Sequence, residues 1–230
     1  MAKRKMNEQQ LEEYWNNKHP KIPIIYGGRE IPNHEGKVSI DVRKMFWSED
    51  YMLADIITKN NLVGETMDET IWRCQKYVVS KIKYISDIEN TKYNEYWQFC
   101  NETEFLQVGD CEDGALLLAS LATSAGVPLW RVRVNAGWVL DKNGQQQGHA
   151  YVTFCREKNN NQENDNNWVI LDWCFLQDSD VSVNEKPLAK NNDKYCDLWF
   201  SFNSQYSWSY KRYDIFEDIN EEPKTLFNGI

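Results

Sequence analysis

The sequence predicts an α+β fold, with one buried helix packed on an antiparallel β-sheet, and three stretches of the chain carry this prediction. Residues 116–122 are strong helix formers, and the helical pattern stops at Gly126 with Pro128 just beyond. Residues 148–156 then alternate between two faces, and residues 168–175 form an apolar run of strand length. A helix followed by a strand meander is typical of an α+β domain.

The chain before this helix is predicted to contribute a polar lead, an extended arm and two helices. Residues 1–21 form a helical or frayed lead, and residues 22–46 hold prolines and glycines between short apolar runs, which is typical of an arm with one or two strands. Residues 47–62 are expected to be helical. A capping box of Thr66 and Glu69 opens a further helix. The apolar face of that helix consists of Ile71, Cys74, Val78, Ile82 and Ile85.

The chain after the meander is dense in aromatic residues, which occur throughout residues 195–216. Alternation over residues 198–203 favours strands that complete the sheet. The alternative is a platform for a substrate or partner, because exposed aromatic side chains mark interfaces.

Length and composition indicate one medium-sized domain with a full core. The 230 residues are 41% hydrophobic and 27% charged, and the net charge of −9 argues against a nucleic-acid or anionic-membrane partner. We expect residues 1–64 to form an arm and a helix that pack on the core, and residues 65–230 to form the main domain.

The N-terminal sequence and the cysteines indicate where in the cell the protein is expected to be found. Basic residues 1–5 are followed by polar residues 7–10 where a secretory signal needs an apolar core, and no run approaches membrane-spanning length. We therefore expect a cytoplasmic protein, or one released by lysis or carried on a particle. Six cysteines without a CxxC pair indicate reduced thiols rather than a zinc site or a disulfide framework.

Three short blocks supply a thiol, an imidazole and a carboxylate in that order. Cys111 lies in Gly-Asp-Cys-Glu-Asp at the start of the buried helix, where unpaired N–H groups and the helix dipole are expected to lower its pKa. His149 lies in Gly-His-Ala-Tyr and Asp172 in Leu-Asp-Trp, both in predicted strands. These are the groups that activated-thiol acyl chemistry requires. Taken singly, each has an ordinary structural explanation as a buried thiol, a half-buried histidine or a turn residue.

Neighbouring antiparallel strands are expected to bring the imidazole and the carboxylate together. Asn143-Gly144 predicts the turn between the first two strands, and the polar residues 159–167 predict a solvated connection to the third. With His149 directly opposite Asp172, Cys155 is expected near Asn166.

The stretch from Glu65 to Phe175 resembles the transglutaminase-like superfamily of papain-like thiol enzymes, especially its bacterial and phage cysteine proteinases. The resemblance rests on the Thr-Met-Asp-Glu helix start, the Ile-Ser-Asp and Glu-Tyr-Trp-Gln segments, and the ordered Cys, His and Asp blocks. It implies a papain-like, transglutaminase-like fold with a catalytic domain over residues 65–230. In that fold Cys111 is the nucleophile, His149 the general base and later acid, and Asp172 the residue that orients the imidazole.

The resemblance also implies an oxyanion site and a reaction class. The backbone N–H of the nucleophile supplies one oxyanion donor, and the upstream block supplies a second, either Trp97 or Gln98. The expected reaction is attack on an amide of a protein or peptide substrate, which forms an acyl-enzyme. Water resolves that intermediate in a peptidase or amidase and an amine resolves it in a transglutaminase, and the residues do not separate the two.

Two further expectations concern partners and cofactors. Heavy use of Asn, Lys, Ile and Tyr suits a phage-encoded protein, so a virion or assembly-associated binding role is the non-enzymatic alternative. No cofactor is predicted, with one alternative. Asp110, Glu112 and Asp113 are candidate calcium ligands, as acidic residues beside the nucleophile are in some relatives, although such carboxylates usually cap helices or face solvent.

Overall fold

The structure, a computed structural model, describes residues 6–30, 37–47, 50–157 and 163–210. Within these ranges the helices are α1 (Glu8–Asn17), α2 (Tyr51–Lys59), α3 (Met67–Lys81), α4 (Asp87–Asn90), α5 (Cys100–Leu106) and α6 (Cys111–Ser124). The strands are β1 (Lys21–Ile22), β2 (Tyr26–Glu30), β3 (Lys37–Asp41), β4 (Lys83–Tyr84), β5 (Val108–Gly109), β6 (Val132–Leu140), β7 (Gln146–Cys155), β8 (Trp168–Leu171), β9 (Tyr195–Phe202) and β10 (Ser207–Ser209).

The main sheet is antiparallel throughout and runs in the order β1-β10-β9-β6-β7-β8. Strands β2 and β3 form a separate antiparallel hairpin, and β4 pairs with β5 in parallel just ahead of α6. The strand meander predicted after the helix is therefore β6, β7 and β8, and the turn at Gly144 has a φ of 78°. The predicted strands after residue 195 are β9 and β10, while residues 211–216 lie outside the described ranges.

Helix α6 is the centre of the fold. Every residue from Cys111 to Ala122 is buried. Its side chains share one core with α2, α3, α5 and the sheet face that carries Ala150, Val152 and Phe154. A helix that is apolar on all sides is stable only when enclosed in this way. The predicted α+β arrangement of a helix on an antiparallel sheet is present.

The N-terminal elements cover the edges of this core. Helix α1 buries Leu11 and Trp15 against Trp130, Cys155 and Trp168 in a second cluster. Strand β1 of the arm joins the main sheet through β10. No helix in the described parts of the chain is long and apolar enough to cross a bilayer. The boundary expected between residues 64 and 65 stays a prediction.

Three local details differ from the sequence-based expectation. Helix α3 ends at Lys81, so Ile85 lies outside the helix whose apolar face was predicted to include it. Thr66 caps α3 by accepting from the Glu69 N–H at 3.1 Å, but the Glu69 carboxylate accepts from the Glu65 N–H rather than closing the predicted box. The expected register of β7 on β8 is wrong by two residues, because Cys155 pairs with Trp168 and not with Asn166. Asp172 consequently follows the end of β8 instead of lying opposite His149.

Candidate active site

Cys111 is the first residue of α6 and lies at the point where the short β5 strand enters the helix. Its side chain is buried, and the thiol donates to Glu112 Oε2 at 3.2 Å. Burial, followed by the nearby carboxylates of Glu112 and Asp110, raises the pKa of the thiol, whereas the Ala150 N–H opposes this rise. This is opposite to the expected lowering of the pKa, because burial and the acidic neighbours both favour the neutral thiol.

His149 and Asp172 are in direct contact, as predicted. His149 Nε2 lies 2.6 Å from Asp172 Oδ2, and the two side chains are 7% and 0% exposed. His149 is in β7 and Cys111 lies beside the next residue of that strand, Ala150. In this structure the thiol donates its hydrogen bond to Glu112 rather than to the imidazole. This does not exclude a catalytic contact between the thiol and the imidazole, because catalytic hydrogen bonds often tighten only when substrate binds.

The Asp172 carboxylate accepts hydrogen bonds on both oxygens. Oδ1 accepts from the backbone N–H groups of Cys174 and Phe175 at 3.0 and 3.1 Å. Oδ2 accepts from the Tyr195 hydroxyl at 2.8 Å as well as facing His149. Burial alone would raise the pKa of Asp172, but the charge of His149 and these hydrogen bonds lower it. Asp172 is therefore an ionised carboxylate at neutral pH.

Two buried side chains fasten the Asp172 segment to the helices. Trp173 Nε1 donates to the Cys111 carbonyl at 3.0 Å, so the residue after Asp172 is hydrogen-bonded to the backbone of Cys111. Gln75 of α3 donates to the carbonyls of Asp172 and Gln177, both at 2.7 Å. The relative position of the carboxylate and the thiol is thus set by backbone contacts with two helices.

Trp97 and Gln98, the two predicted oxyanion donors, are buried next to α6. The Trp97 indole N–H donates to Glu95 Oε1 at 2.9 Å. The Gln98 side-chain amide donates to Asp113 Oδ2 at 2.7 Å, and its backbone N–H donates to Asp113 Oδ1 at 2.7 Å. Both side-chain donors are engaged with carboxylates in this structure, and an oxyanion role for either stays a prediction.

A largely buried acidic cluster lies beside the nucleophile, with Asp87 and Asp113 buried and Asp110 half-buried. Asp87, Asp110 and Asp113 each place one carboxylate oxygen within 4.8 Å of the others. Burial and the neighbouring carboxylates raise the pKa of Asp87 to about 7 and that of Glu112 to about 8, and they also raise the pKa of Asp110 and Asp113. Asp87 Oδ1 and Asp110 Oδ1 are buried and accept no hydrogen bond within the described chain.

The donor set fits a hard divalent cation, because calcium is bound by carboxylate oxygens. Two of the three predicted ligands, Asp110 and Asp113, are in this cluster, while Glu112 instead groups with Asp110 and Cys111. Asp87 was not among the predicted ligands, although it lies in the Ile-Ser-Asp segment. Its distance along the chain from Cys111 left no local signal that the two would meet.

Tyr195 and Gln75 are the other site residues that sequence reasoning missed. Tyr195 lies at the start of the aromatic-rich region, just before the alternation that predicts strands there, and no role at the site is predicted for it. Gln75 falls on the apolar face predicted for α3, where a buried amide needs partners. That exception to the apolar pattern was the available signal for Gln75.

Comparison with known proteins identifies a family and similar solved structures. The profile of the Transglutaminase-like superfamily matches residues 53–173, which is more than half of the chain. No curated protein matches the sequence. The EGTA-treated structure of Legionella pneumophila LapG is 19% identical, with a TM-score of 0.53, and the match covers 90% of this chain and 87% of that chain. Calcium-bound LapG from the same organism is 20% identical, with a TM-score of 0.52 and coverage of 69% and 76%. These likenesses and the family match confirm the predicted papain-like α+β fold.

Proposed function

This chain belongs to the transglutaminase-like superfamily, and from that premise we propose that it is a cysteine peptidase or amidase that cleaves an amide bond of a protein or peptide. Cys111 is the nucleophile, His149 the general base and acid, and Asp172 the group that orients the imidazole. The fold of the LapG structures and the family match support a cysteine-protease-like activity, and the order of the three residues along the chain agrees with it.

The buried contact between His149 and Asp172 is the observation that carries this proposal. An ionised carboxylate only accepts hydrogen bonds, so the proton between the two side chains belongs to His149 Nε2. The neutral imidazole then has its lone pair on Nδ1, which is free to take a proton from a thiol. Holding the imidazole in one tautomer and orientation is what the carboxylate of such a triad does.

The proposed reaction needs only Cys111, His149, the substrate and water. His149 Nδ1 takes the proton of Cys111 Sγ, and the thiolate attacks the substrate carbonyl carbon. The backbone N–H of Cys111 stabilises the oxyanion. The C–N bond then breaks, His149 returns the proton to the leaving amine, and a thioester remains on Cys111. Water, deprotonated by His149, attacks the thioester, releases the acid and restores the thiol.

Calcium is part of the proposal, with Asp87, Asp110 and Asp113 as ligands. The support is the raised carboxyl pKa values, the calcium-bound state recorded for LapG, and two buried oxygens, Asp87 Oδ1 and Asp110 Oδ1, that accept no hydrogen bond from the described residues. Calcium held there would supply positive charge close to Cys111, where burial and then the acidic neighbours raise the pKa of the thiol.

Acylation by p-nitrophenyl acetate tests the reaction without knowledge of the natural substrate. We expect nitrophenol release by the calcium-supplemented protein, with an acetyl group on Cys111 detected by mass spectrometry. Cys111→Ala is expected to abolish both signals at an unchanged melting temperature. Cys196→Ala is the matched control, since Cys196 is an exposed thiol and its removal is expected to leave the rate intact.

Retained acylation in Cys111→Ala would refute the proposal, as would an acetyl group found mainly on Cys196. Adding an alkyl amine separates the two ways of resolving the thioester. Free acetate as the main product supports hydrolysis, whereas N-acetylated amine would make the protein an acyltransferase. The fold has no bearing on the virion or assembly role, which stays a prediction.

A further inference from the structure

Tyr195 lies outside the span that the family profile matches, yet its hydroxyl reaches the proposed site. It donates to Asp172 Oδ2 at 2.8 Å, the same oxygen that lies 2.6 Å from His149 Nε2. We propose that Tyr195 is a positioning residue that fixes the Asp172 carboxylate, and through it the orientation of the His149 ring. The inference rests on the proposed function of Cys111, His149 and Asp172.

Two irregularities in the pairing of β6 with β9 determine which face of the sheet the Tyr195 side chain lies on. The register shifts between Ala136 and Gly137 and again between Trp138 and Val139. Without the second shift, Cys196 would pair with Val139, whereas Tyr195 occupies that position. Because side chains alternate along a strand, the shift exchanges the faces of these two residues, and Cys196 is exposed while Tyr195 is buried. Bulges are enriched beside active sites because they re-aim side chains in this way.

The surroundings of Tyr195 keep its hydroxyl protonated, so that it acts as a hydrogen-bond donor. The ring packs in a small cluster with Val139, Tyr151 and Ile170 on the sheet face that carries His149. Burial, followed by the charge of Asp172, raises the pKa of the phenol far above its usual range, so it keeps its proton. A buried hydroxyl without a partner is costly, and Asp172 is the acceptor that satisfies it.

The groups facing the Asp172 carboxylate come from three parts of the chain. His149 comes from β7 and Tyr195 from β9. The backbone N–H groups of Cys174 and Phe175 come from the segment that follows Asp172 itself. The side chain of Cys174 also faces this carboxylate, since burial and then the charge of Asp172 raise the pKa of its thiol. With Oδ1 held by the backbone, His149 Nε2 and the Tyr195 hydroxyl are the two side-chain groups that contact Oδ2.

Tyr195→Phe removes this donor and keeps the ring. We expect acylation by p-nitrophenyl acetate to slow about tenfold, as for loss of a hydrogen bond to a charged group. The second readout is the NMR resonance of the His149 Nε2 proton, which requires an ionised Asp172. Because the Tyr195 hydroxyl helps lower the pKa of Asp172, this resonance is expected to disappear at a higher pH during acid titration of the variant.

Tyr151→Phe is the matched control. The Tyr151 ring stacks on His149 with centroids 6.1 Å apart, so this variant removes a hydroxyl from the same cluster without removing a donor to Asp172. We expect its rate and its resonance to match those of the unmodified protein. A merely structural role for Tyr195 would leave both readouts of Tyr195→Phe unchanged, and that result would overturn the proposal.

The acylation assay and the NMR titration distinguish a wrong role for Tyr195 from a wrong proposed function. If the unmodified protein is not acylated, the proposed function fails, and the NMR titration still decides the role of Tyr195. If Tyr195→Phe does not fold, 3-fluorotyrosine at position 195 gives the opposite test. It is a stronger donor, so the resonance is expected to persist to a lower pH, and an unchanged acid limit would overturn the proposal.

Discussion

Gly114→Ala tests whether close packing of α6 on Trp173 holds the site together. A Cβ on Gly114 would lie 2.2 Å from Trp173 Cε2 and 2.5 Å from its Nε1. Non-bonded carbon atoms pack at about 3.5–4.0 Å, so the indole must move by more than about 1 Å. That movement pulls its N–H away from the Cys111 carbonyl, which now accepts it at 3.0 Å.

The expected loss of stability follows from three contributions. Overpacking of a core costs about 1–3 kcal/mol, and the lost hydrogen bond costs about 0.5–1.5 kcal/mol. Alanine in place of glycine returns about 1 kcal/mol of helix propensity. The net destabilisation is therefore about 2 kcal/mol, which for a domain of this size lowers the melting temperature by about 4–8 °C.

Thermal unfolding followed by circular dichroism measures this change, and acylation by p-nitrophenyl acetate is expected to slow in parallel, because Asp172 precedes the displaced indole. Trp173→Leu provides the background for a double-mutant cycle. With the indole gone, Gly114→Ala is expected to be neutral or stabilising. If Gly114→Ala raises the melting temperature of the otherwise unmodified protein, the packing argument is wrong.

Two further outcomes concern the acidic cluster and the oxyanion site. Calcium at a hundredfold excess over its dissociation constant is expected to stabilise chelator-treated protein by about 2.7 kcal/mol. Calorimetry should show binding abolished in Asp87→Asn but retained in the exposed control Asp55→Asn; equal binding by both would exclude the proposed ligand set. Trp97→Phe is expected to slow acylation less than about tenfold, since the indole N–H donates to Glu95, whereas loss of an oxyanion donor costs about 10²–10³. A hundredfold loss at an unchanged melting temperature would instead identify Trp97 as that donor.

Much of the fold was predictable because its signals are local. The apolar run of α6 and its stop before Pro128, the alternation in β7 and the cap at Thr66 each depend on residues a few positions apart. Such patterns fix helix, strand and burial without knowledge of the rest of the chain. The order of Cys111, His149 and Asp172 was likewise readable, and so was the contact between the last two.

The partners of these residues depended on the tertiary structure. Strand register is set by side chains that pack across the sheet, so local alternation gave the faces of β7 but not its two-residue offset on β8. The same limit hid Tyr195, which reaches Asp172 only because β9 is bulged. The pKa of Cys111 is the clearest case. Its place at a helix start, visible in the sequence, favours a thiolate, but folding buries it among carboxylates, and burial with like charge raises its pKa.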